Sequence, residues 1–236
     1  MDSGSDASEE GLLQFKVVVL GNGAVGKTSL IRHFCESGFT KSYKQTIGLD
    51  FYSRKVQLPH SHPSVTLQLW DIGGQQIGGK MLSNYIHGSH AVCLVYDLTN
   101  ANSFKDLSDW KACVDSVFQG VPEADQPPMI LVGNKADLPS RAVSEADQQE
   151  FSKKFNIAHC TVSAKSGEHV NTTFTRIAAT LAGVEMKQQD LSMADRVTAT
   201  VVSQPEERRE APRVPVLHAQ SSSQRKNKKD DECVAM

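Results

Sequence analysis

One eight-residue segment constrains the fold of this chain more than any other feature: Gly21-Asn22-Gly23-Ala24-Val25-Gly26-Lys27-Thr28. It matches the pattern G-x-x-x-x-G-K-[ST], which joins a β-strand to an α-helix. The chain supplies both neighbours, because a β-branched run ends at Leu20 and an amphipathic stretch follows the segment. The segment therefore predicts a strand, an anion-wrapping loop and a helix; taken alone, it could still be a glycine-rich turn with a chance Lys-Thr pair.

Short β-branched runs alternate with longer amphipathic stretches, which is typical of βα units around a mostly parallel sheet. The predicted strands are Phe15–Leu20, Asp50–Leu58, Val65–Trp70, Ala91–Tyr96, Met129–Val132 and His159–Val162. Residues 59–63 are too few for a crossover, so the second and third strands should form an antiparallel hairpin. His60 and His62 in this turn could bind a metal, but an exposed polar loop is the preferred interpretation. We predict an α/β fold with six strands flanked by helices.

Composition sets the limits of this domain. The net charge of −2 gives no overall attraction to nucleic acid, and the apolar runs are too short to span a bilayer. Residues 1–14 are acidic and lack the features of a signal peptide, so we expect a disordered extension and a cytoplasmic protein. Periodicity fades after residue 183 into Gln, Ser, Glu, Pro and Arg. We therefore predict one domain at 15–183 and a flexible tether at 184–232.

The chemistry of the loop follows from its residue types. Its glycines let successive N–H groups and the helix N-terminus face a polyphosphate. Lys27 adds a positive charge for the β- and γ-phosphates and is a candidate catalytic residue, while the Thr28 hydroxyl is an oxygen ligand of the kind that Mg²⁺ prefers. The predicted phosphate-binding residues are Gly21, Gly23, Ala24, Val25, Gly26, Lys27, Thr28 and Ser29.

A second group of candidates follows the third strand. Asp71 at the end of that strand can hold Mg²⁺ through a water molecule. Gly74 can bring its N–H against the γ-phosphate, and Gln75 is then placed to orient an attacking water. The alternative is a β-turn with Gln75 in solvent, and this alternative weakens once the phosphate loop is granted.

The segment Asn134-Lys135-Ala136-Asp137 predicts which base is bound. The Asp137 carboxylate accepts two hydrogen bonds, which matches the adjacent ring N–H and amine of guanine, whereas adenine lacks this donor pair. Asn134 can bond the other base edge, and the Lys135 stem can cover a face of the ring. These residues favour a guanine nucleotide.

Three further candidates, Ser163, Ala164 and Lys165, follow the sixth strand. The Ala164 N–H could reach the guanine oxygen, and Lys165 could flank the ring. All four motifs come at the carboxyl ends of strands, where open α/β sheets bind ligands. Together they predict one nucleotide site.

These motifs resemble the Ras superfamily of small GTPases, and within it the Rab branch, over Phe15 to Gly183. The resemblance implies a P-loop NTPase fold, GTP and GDP as substrate and product, and Mg²⁺ as cofactor. Thr46, in Thr46-Ile47-Gly48-Leu49-Asp50-Phe51, would be the second protein ligand of Mg²⁺. Phe39 would pack against guanine, with Thr40, Lys41 and Tyr43 running past the ribose and phosphates. Phe51, Trp70 and Tyr85 correspond to an aromatic effector surface, although ordinary core packing explains them about as well.

The chain departs from the common Rab pattern in the segment that follows Asp71, called switch II. Gly73 stands where most members have alanine, and Gln76-Ile77-Gly78-Gly79-Lys80-Met81 replaces a charged and aromatic stretch. The added glycines make ordering costly, so we expect a switch II that is mobile with GDP and ordered with GTP. The departures resemble a divergent Rab subtype. The resemblance implies slow GTP hydrolysis by a monomer that works with an exchange factor, a GTPase-activating protein (GAP) and effectors.

The last four residues, Cys233-Val234-Ala235-Met236, fit the C-a-a-X pattern for farnesylation of Cys233. A prenyl chain, a basic stretch at 225–229 and a prenyl-binding carrier would give reversible attachment to the cytoplasmic face of a membrane. The alternative is an accidental cysteine in a tail. Two other functions compete with the GTPase reading: a P-loop ATPase or kinase, and a nucleotide-binding scaffold that recruits effectors and hydrolyses weakly.

Overall fold

The computed structural model describes residues 13–38, 44–59, 62–74 and 81–194, which lie in one compact unit. The strands are β1 (Leu13–Leu20), β2 (Leu49–Val56), β3 (Val65–Ile72), β4 (Ala91–Asp97), β5 (Met129–Asn134) and β6 (Ala158–Thr161). The helices are α1 (Lys27–Glu36), α2 (Leu82–Ile86), α3 (Ala101–Lys105), α4 (Leu107–Val117), α5 (Glu145–Phe155), α6 (Val170–Leu181) and α7 (Gln188–Ala194).

The strands form one sheet in the order β2-β3-β1-β4-β5-β6. β2 and β3 pair antiparallel, and all other neighbours pair parallel. The α/β class, the six strands and the antiparallel hairpin are therefore confirmed. The order places β1 at the centre, so the loop that follows it opens at the carboxyl edge of the sheet.

Both faces of the sheet are covered. Val17 and Val19 of β1 face one core layer, in which Phe34 of α1 and Phe174 of α6 stack with ring centroids 4.4 Å apart. Residues of opposite parity face a second layer built around the fully buried Trp110 of α4. Burial on two faces explains why the central strands are almost continuously apolar, as parallel strands require.

The structure moves both boundaries of the predicted domain. β1 begins at Leu13 instead of Phe15, because Leu13 and Gln14 pair with β3, so the extension predicted at 1–14 is two residues too long. At the other end, Val184 and Met186 pack against the first core layer and α7 continues to Ala194. The tether predicted from residue 184 therefore starts too early, since periodicity alone did not reveal these two contacts.

Three strands extend further toward the candidate site than predicted. β3, β4 and β5 run past their predicted ends at Trp70, Tyr96 and Val132 to Ile72, Asp97 and Asn134. β2 and β6 instead end one or two residues earlier than predicted. Asp71, Asp97 and Asn134 at the carboxyl edge are therefore held by strand pairing. In the described part of the chain, no helix is long and apolar enough to cross a membrane.

The buried hydroxyl of Tyr96 has no hydrogen-bond partner among the described residues, and burial raises its pKa. We expect Tyr96→Phe to leave the free energy of unfolding unchanged or to raise it by about 1 kcal/mol, because it removes an unsatisfied buried polar group. Urea unfolding measures the effect. Gly133→Ala is the contrasting variant: its Cβ would lie 2.6 Å from the Tyr96 hydroxyl and should destabilise by about 1–3 kcal/mol. A clear loss of stability in Tyr96→Phe would contradict the conclusion that the Tyr96 hydroxyl is unpaired.

Candidate functional site

A cavity of about 660 Å³ opens at the carboxyl edge of the sheet. Its lining contains most of the predicted nucleotide residues: Gly23, Ala24, Gly26, Lys27, Thr28, Ser29, Thr46, Gly74, Asn134, Lys135, Asp137, Ala164 and Lys165. Gly21, Val25 and Ser163 are buried just behind this lining. Sequence reasoning missed Arg32, Lys44 and Asp50, which also border the cavity. The structure thus brings the four motifs together in one place.

The phosphate loop leaves the N-terminus of α1 free for an anion. Gly26 precedes the helix with φ of 96°, and no side chain caps the first turn. The first N–H groups of a helix need acceptors, and a phosphate supplies both acceptors and negative charge. At the start of the loop, Gly21 has φ of 139°, and a Cβ there would lie 2.0 Å from the Val95 carbonyl oxygen. Both positions therefore require glycine.

The Lys27 ammonium is held beneath the loop. Its Nζ donates to the Gly21 carbonyl at 2.7 Å and to the Asn22 carbonyl at 2.9 Å. Burial lowers its pKa to about 8, and the nearby Asp71 carboxylate acts in the opposite direction. The lysine is thus positioned by backbone carbonyls before any phosphate arrives.

Three oxygen-bearing side chains converge beside Lys27. The Thr28 hydroxyl donates to Asp71 Oδ2 at 2.5 Å and lies 2.8 Å from the Thr46 hydroxyl, which is 3.3 Å from the same Oδ2. Asp71 is fully buried, and its Oδ1 has no partner among the described residues. Burial raises the pKa of Asp71, against the hydrogen bonds from the two threonines and the charge of Lys27. A hard cation such as Mg²⁺ would relieve this carboxylate, so the predicted metal residues fit the ion.

At the opposite end of the cavity, Asp137 is held by two partners. Its Oδ1 accepts from the Ser163 hydroxyl at 2.7 Å, and its Oδ2 lies 3.4 Å from Lys165 Nζ. Burial acts to raise the pKa of Asp137, but the hydrogen bonds, led by that from Ser163, outweigh burial and leave the pKa below its usual value. The carboxylate is therefore ionised and oriented, as base recognition requires.

Asn134 and Ala164 contact each other, and Asn134 also contacts the phosphate loop. Asn134 Nδ2 donates to the Val25 carbonyl at 2.8 Å, and Asn134 Oδ1 accepts from the Ala164 N–H at 3.0 Å. The base contacts proposed for the Asn134 amide and the Ala164 N–H stay predictions. Asn134 ties the phosphate loop to the loop after β6 because its strand position leaves it almost fully buried.

Asp97, which sequence reasoning did not single out, holds one of the candidate site residues in place. Its Oδ2 lies 2.7 Å from Lys135 Nζ, and its Oδ1 accepts from the backbone N–H and hydroxyl of Thr99. Burial acts to raise its pKa, but the bonds from Lys135 and Thr99 outweigh burial and lower it. Asp97 therefore fixes the end of the Lys135 stem. The signal was present, since a carboxylate directly follows a strand here as it does in β3.

Comparison with known proteins decides the family. The model of the Ras family matches residues 16–183. The chain belongs to the Ras family.

This Ras-family chain also lies within the Rab branch. It is 38% identical over 195 residues to Ras-related protein Rab-28 of Caenorhabditis elegans, across 81% of this chain and 77% of the relative. The predicted resemblance to a divergent Rab subtype, the one numbered twenty-eight, is thereby confirmed. Ras-family proteins are GTPases, which bind GTP or GDP with Mg²⁺ in general, and this chain is a GTP hydrolase.

The three residues of the predicted effector surface lie on the β2–β3 hairpin and α2 of this Ras-family chain. Phe51 is 56% exposed and meets Trp70 edge-on with centroids 4.5 Å apart. Trp70 and Tyr85 are half-buried against the second core layer, and Lys16 Nζ lies 3.7 Å from the Trp70 ring centroid. The exposure of Phe51 is compatible with an effector surface, and the packing of Trp70 and Tyr85 is compatible with a core role. The effector role stays a prediction. Phe39, Thr40, Lys41, Tyr43, Gln75 and Cys233 lie outside the described residues.

Gly73, at the start of switch II, allows two segments to touch. Its N–H donates to the Gly48 carbonyl at 2.9 Å, and a Cβ there would lie 2.7 Å from the Thr46 carbonyl oxygen. We expect Gly73→Ala to push the Thr46 segment away from Thr28 and to weaken Mg²⁺-dependent nucleotide binding about tenfold, in line with overpacking costs of about 1–3 kcal/mol. Nucleotide release measured across a Mg²⁺ titration checks this.

The control for Gly73→Ala is Gly88→Ala. Gly88 has φ of 68° and open space around its Cβ position, so alanine there should cost stability without changing the Mg²⁺ dependence. Equal Mg²⁺ dependence in wild type and Gly73→Ala would contradict the proposed contact.

Proposed function

We propose that this chain binds GTP and GDP with Mg²⁺ and acts as a slow, GTP-dependent switch. One observation carries the proposal: a single cavity holds a lysine and a helix N-terminus for phosphates, three oxygen side chains for the metal, and the oriented Asp137 carboxylate for guanine. An ATPase or kinase would not need that carboxylate.

The binding experiment compares the two purines directly. With Mg²⁺ present, the purified protein should bind GTP on the order of 10⁴-fold more tightly than ATP, because adenine leaves the acceptors of Asp137 unpaired. Calorimetry or competition against a fluorescent guanine nucleotide measures the ratio. No preference for guanine would overturn the proposal.

The chemistry assigned to the chain is positioning and charge neutralisation. Thr28, Thr46 and, through water, Asp71 would hold Mg²⁺, which would supply positive charge to neutralise the phosphates. Lys27 holds the same phosphates, Gly74 presents its N–H toward the γ-phosphate, and Gln75 orients the attacking water. Turnover without a partner should be on the order of 10⁻⁴ to 10⁻³ per second, and a GAP should raise it by several powers of ten.

A Gln75→Leu variant tests the hydrolytic step. It should bind GTP normally and lower intrinsic turnover at least about tenfold, because leucine cannot hydrogen-bond the water that attacks. Single-turnover hydrolysis with and without a GAP measures the rate, and Gln57→Leu, on the exposed turn after β2, is the matched control. Wild-type turnover in Gln75→Leu would remove this residue from the mechanism. Normal GTP binding with negligible turnover in the wild type would instead favour the weakly hydrolysing scaffold.

The cellular role follows from the same proposal. We infer a switch in intracellular membrane, vesicle or ciliary traffic, served by an exchange factor, a GAP, effectors and a prenyl-binding carrier. Farnesylation of Cys233, a lipoprotein linkage at the end of a tether, would attach the protein reversibly to the cytoplasmic face of a membrane. Mass spectrometry of the protein from eukaryotic cells should show the prenyl adduct, and an unmodified Cys233 would refute it.

A further inference from the structure

The second residue of the phosphate loop, Asn22, is held by two side chains from the start of α4. The Trp110 indole Nε1 donates to Asn22 Oδ1 at 2.8 Å. Asn22 Nδ2 donates to Asp106 Oδ2 at 2.6 Å. Trp110 is fully buried while Asn22 is half-buried, so a core residue holds a loop residue in place. The phosphate-loop pattern does not specify the residue type at position 22.

The backbone of Asn22 contacts two groups that face the nucleotide. Its carbonyl oxygen accepts from Lys27 Nζ at 2.9 Å. Gly74 packs against the same peptide, since a Cβ on Gly74 would lie 2.3 Å from the Asn22 carbonyl carbon. A displacement of Asn22 would therefore move the support of Lys27 and of Gly74 together.

We infer that Asn22, held by Trp110 and Asp106, is a positioning residue that sets how long a nucleotide stays bound. This inference rests on the proposed nucleotide binding. Trp110 is fully buried, where an unpaired indole N–H is costly, so the clamp holds the loop in its binding geometry. Preorganisation of this kind slows release, because the bound conformation need not be restored after each fluctuation.

Two single variants test the clamp. Asn22→Ala removes both side-chain hydrogen bonds, and Trp110→Phe removes the indole donor to Asn22 while keeping an aromatic ring in the core. Each should speed release of fluorescent GDP about tenfold, as expected for one lost buried hydrogen bond. Because both variants break the same contact, the double variant should be only slightly faster than the faster single variant. Independent, additive effects would overturn the inference.

A reversed pair separates positioning from damage to the fold. Asn22→Asp alone places a second carboxylate against that of Asp106. The repulsion between the two should make this variant release GDP faster. Combining it with Asp106→Asn restores the pair with the donor and acceptor exchanged, and the carboxylate at position 22 still accepts from Trp110. The combined variant should return to within about twofold of the wild-type rate, since one amide–carboxylate bond replaces another. Failure to recover would count against the clamp.

A spectroscopic reading needs no nucleotide. The chain has two tryptophans, so its amide spectrum has two indole N–H signals. Asn22→Ala should shift the Trp110 signal and leave that of Trp70 in place. If the wild type binds GTP but Asn22→Ala and Trp110→Phe release GDP at the wild-type rate, the clamp is wrong while the proposed function stands. If the wild type binds no guanine nucleotide, the proposed function fails first.

Discussion

An Asp137→Asn variant should lose about 10³ to 10⁴-fold of its affinity for GTP, the largest effect expected from a single atom exchange in this protein. Asparagine keeps the shape of the side chain, and its oxygen can still accept from Ser163. It also replaces one acceptor by an amide donor, which then faces a donor of guanine. The variant therefore removes a charge-assisted hydrogen bond and introduces a repulsive contact.

The same exchange should improve binding of a different base. Xanthine carries an oxygen where guanine carries the exocyclic amine, so the new amide would find an acceptor. Competition with GTP, ATP and xanthosine triphosphate measures all three affinities on one protein. Asp125→Asn is the matched control, because this exposed carboxylate lies on the turn Glu123–Asp125, away from the cavity lining. Unchanged GTP affinity in Asp137→Asn would show that the base does not meet this carboxylate.

Lys27→Ala should weaken binding of GTP and GDP by about 10² to 10⁴-fold, because two charge-assisted hydrogen bonds to phosphate are worth roughly 1.5–3 kcal/mol each. The truncation also leaves the Gly21 and Asn22 carbonyls without the partner that holds them. The loop should then lose part of its geometry as well as its charge.

Equilibrium titration with both nucleotides checks the Lys27→Ala prediction, and urea unfolding of the nucleotide-free protein measures the separate cost to the loop. Lys111→Ala is the control, because Lys111 pairs with Asp115 on the surface of α4, a contact that should be worth at most about 1 kcal/mol. A Lys27→Ala protein that binds GTP as tightly as Lys111→Ala would place the phosphates elsewhere.

The sequence could predict the site where chemistry depends on residue type at fixed spacing. Lys27, Thr28, Asp71 and Asp137 were predicted as site residues because each belongs to a motif at or just after the carboxyl end of a strand, and the structure places these motifs at the same edge of the sheet. The contacts that hold Asn134 and Ala164 in place were not predicted. Their partners, Val25 and each other, are long-range contacts that a local pattern does not contain.

Other misses have the same physical origin. Asp97 and Asn22 contact residues 38 and 88 positions away, and the local sequence does not show which partner each one has. The early start of β1 depends on pairing with β3, and the late end of the domain depends on the packing of Val184. Local periodicity identified each element but could not say where a neighbour would extend it.

The carboxyl end of β3 has a further consequence. Trp70 and Asp71 are adjacent, so their side chains point to opposite faces of the sheet, with the carboxylate toward the phosphate end and the indole against Phe51. A change in the position of Asp71 that depended on the bound nucleotide would therefore need to cross only one peptide unit, about 3.8 Å, to affect Trp70 and its contact with Phe51. A protein bound at Phe51 and Trp70 would thus respond to a small movement of β3 alone.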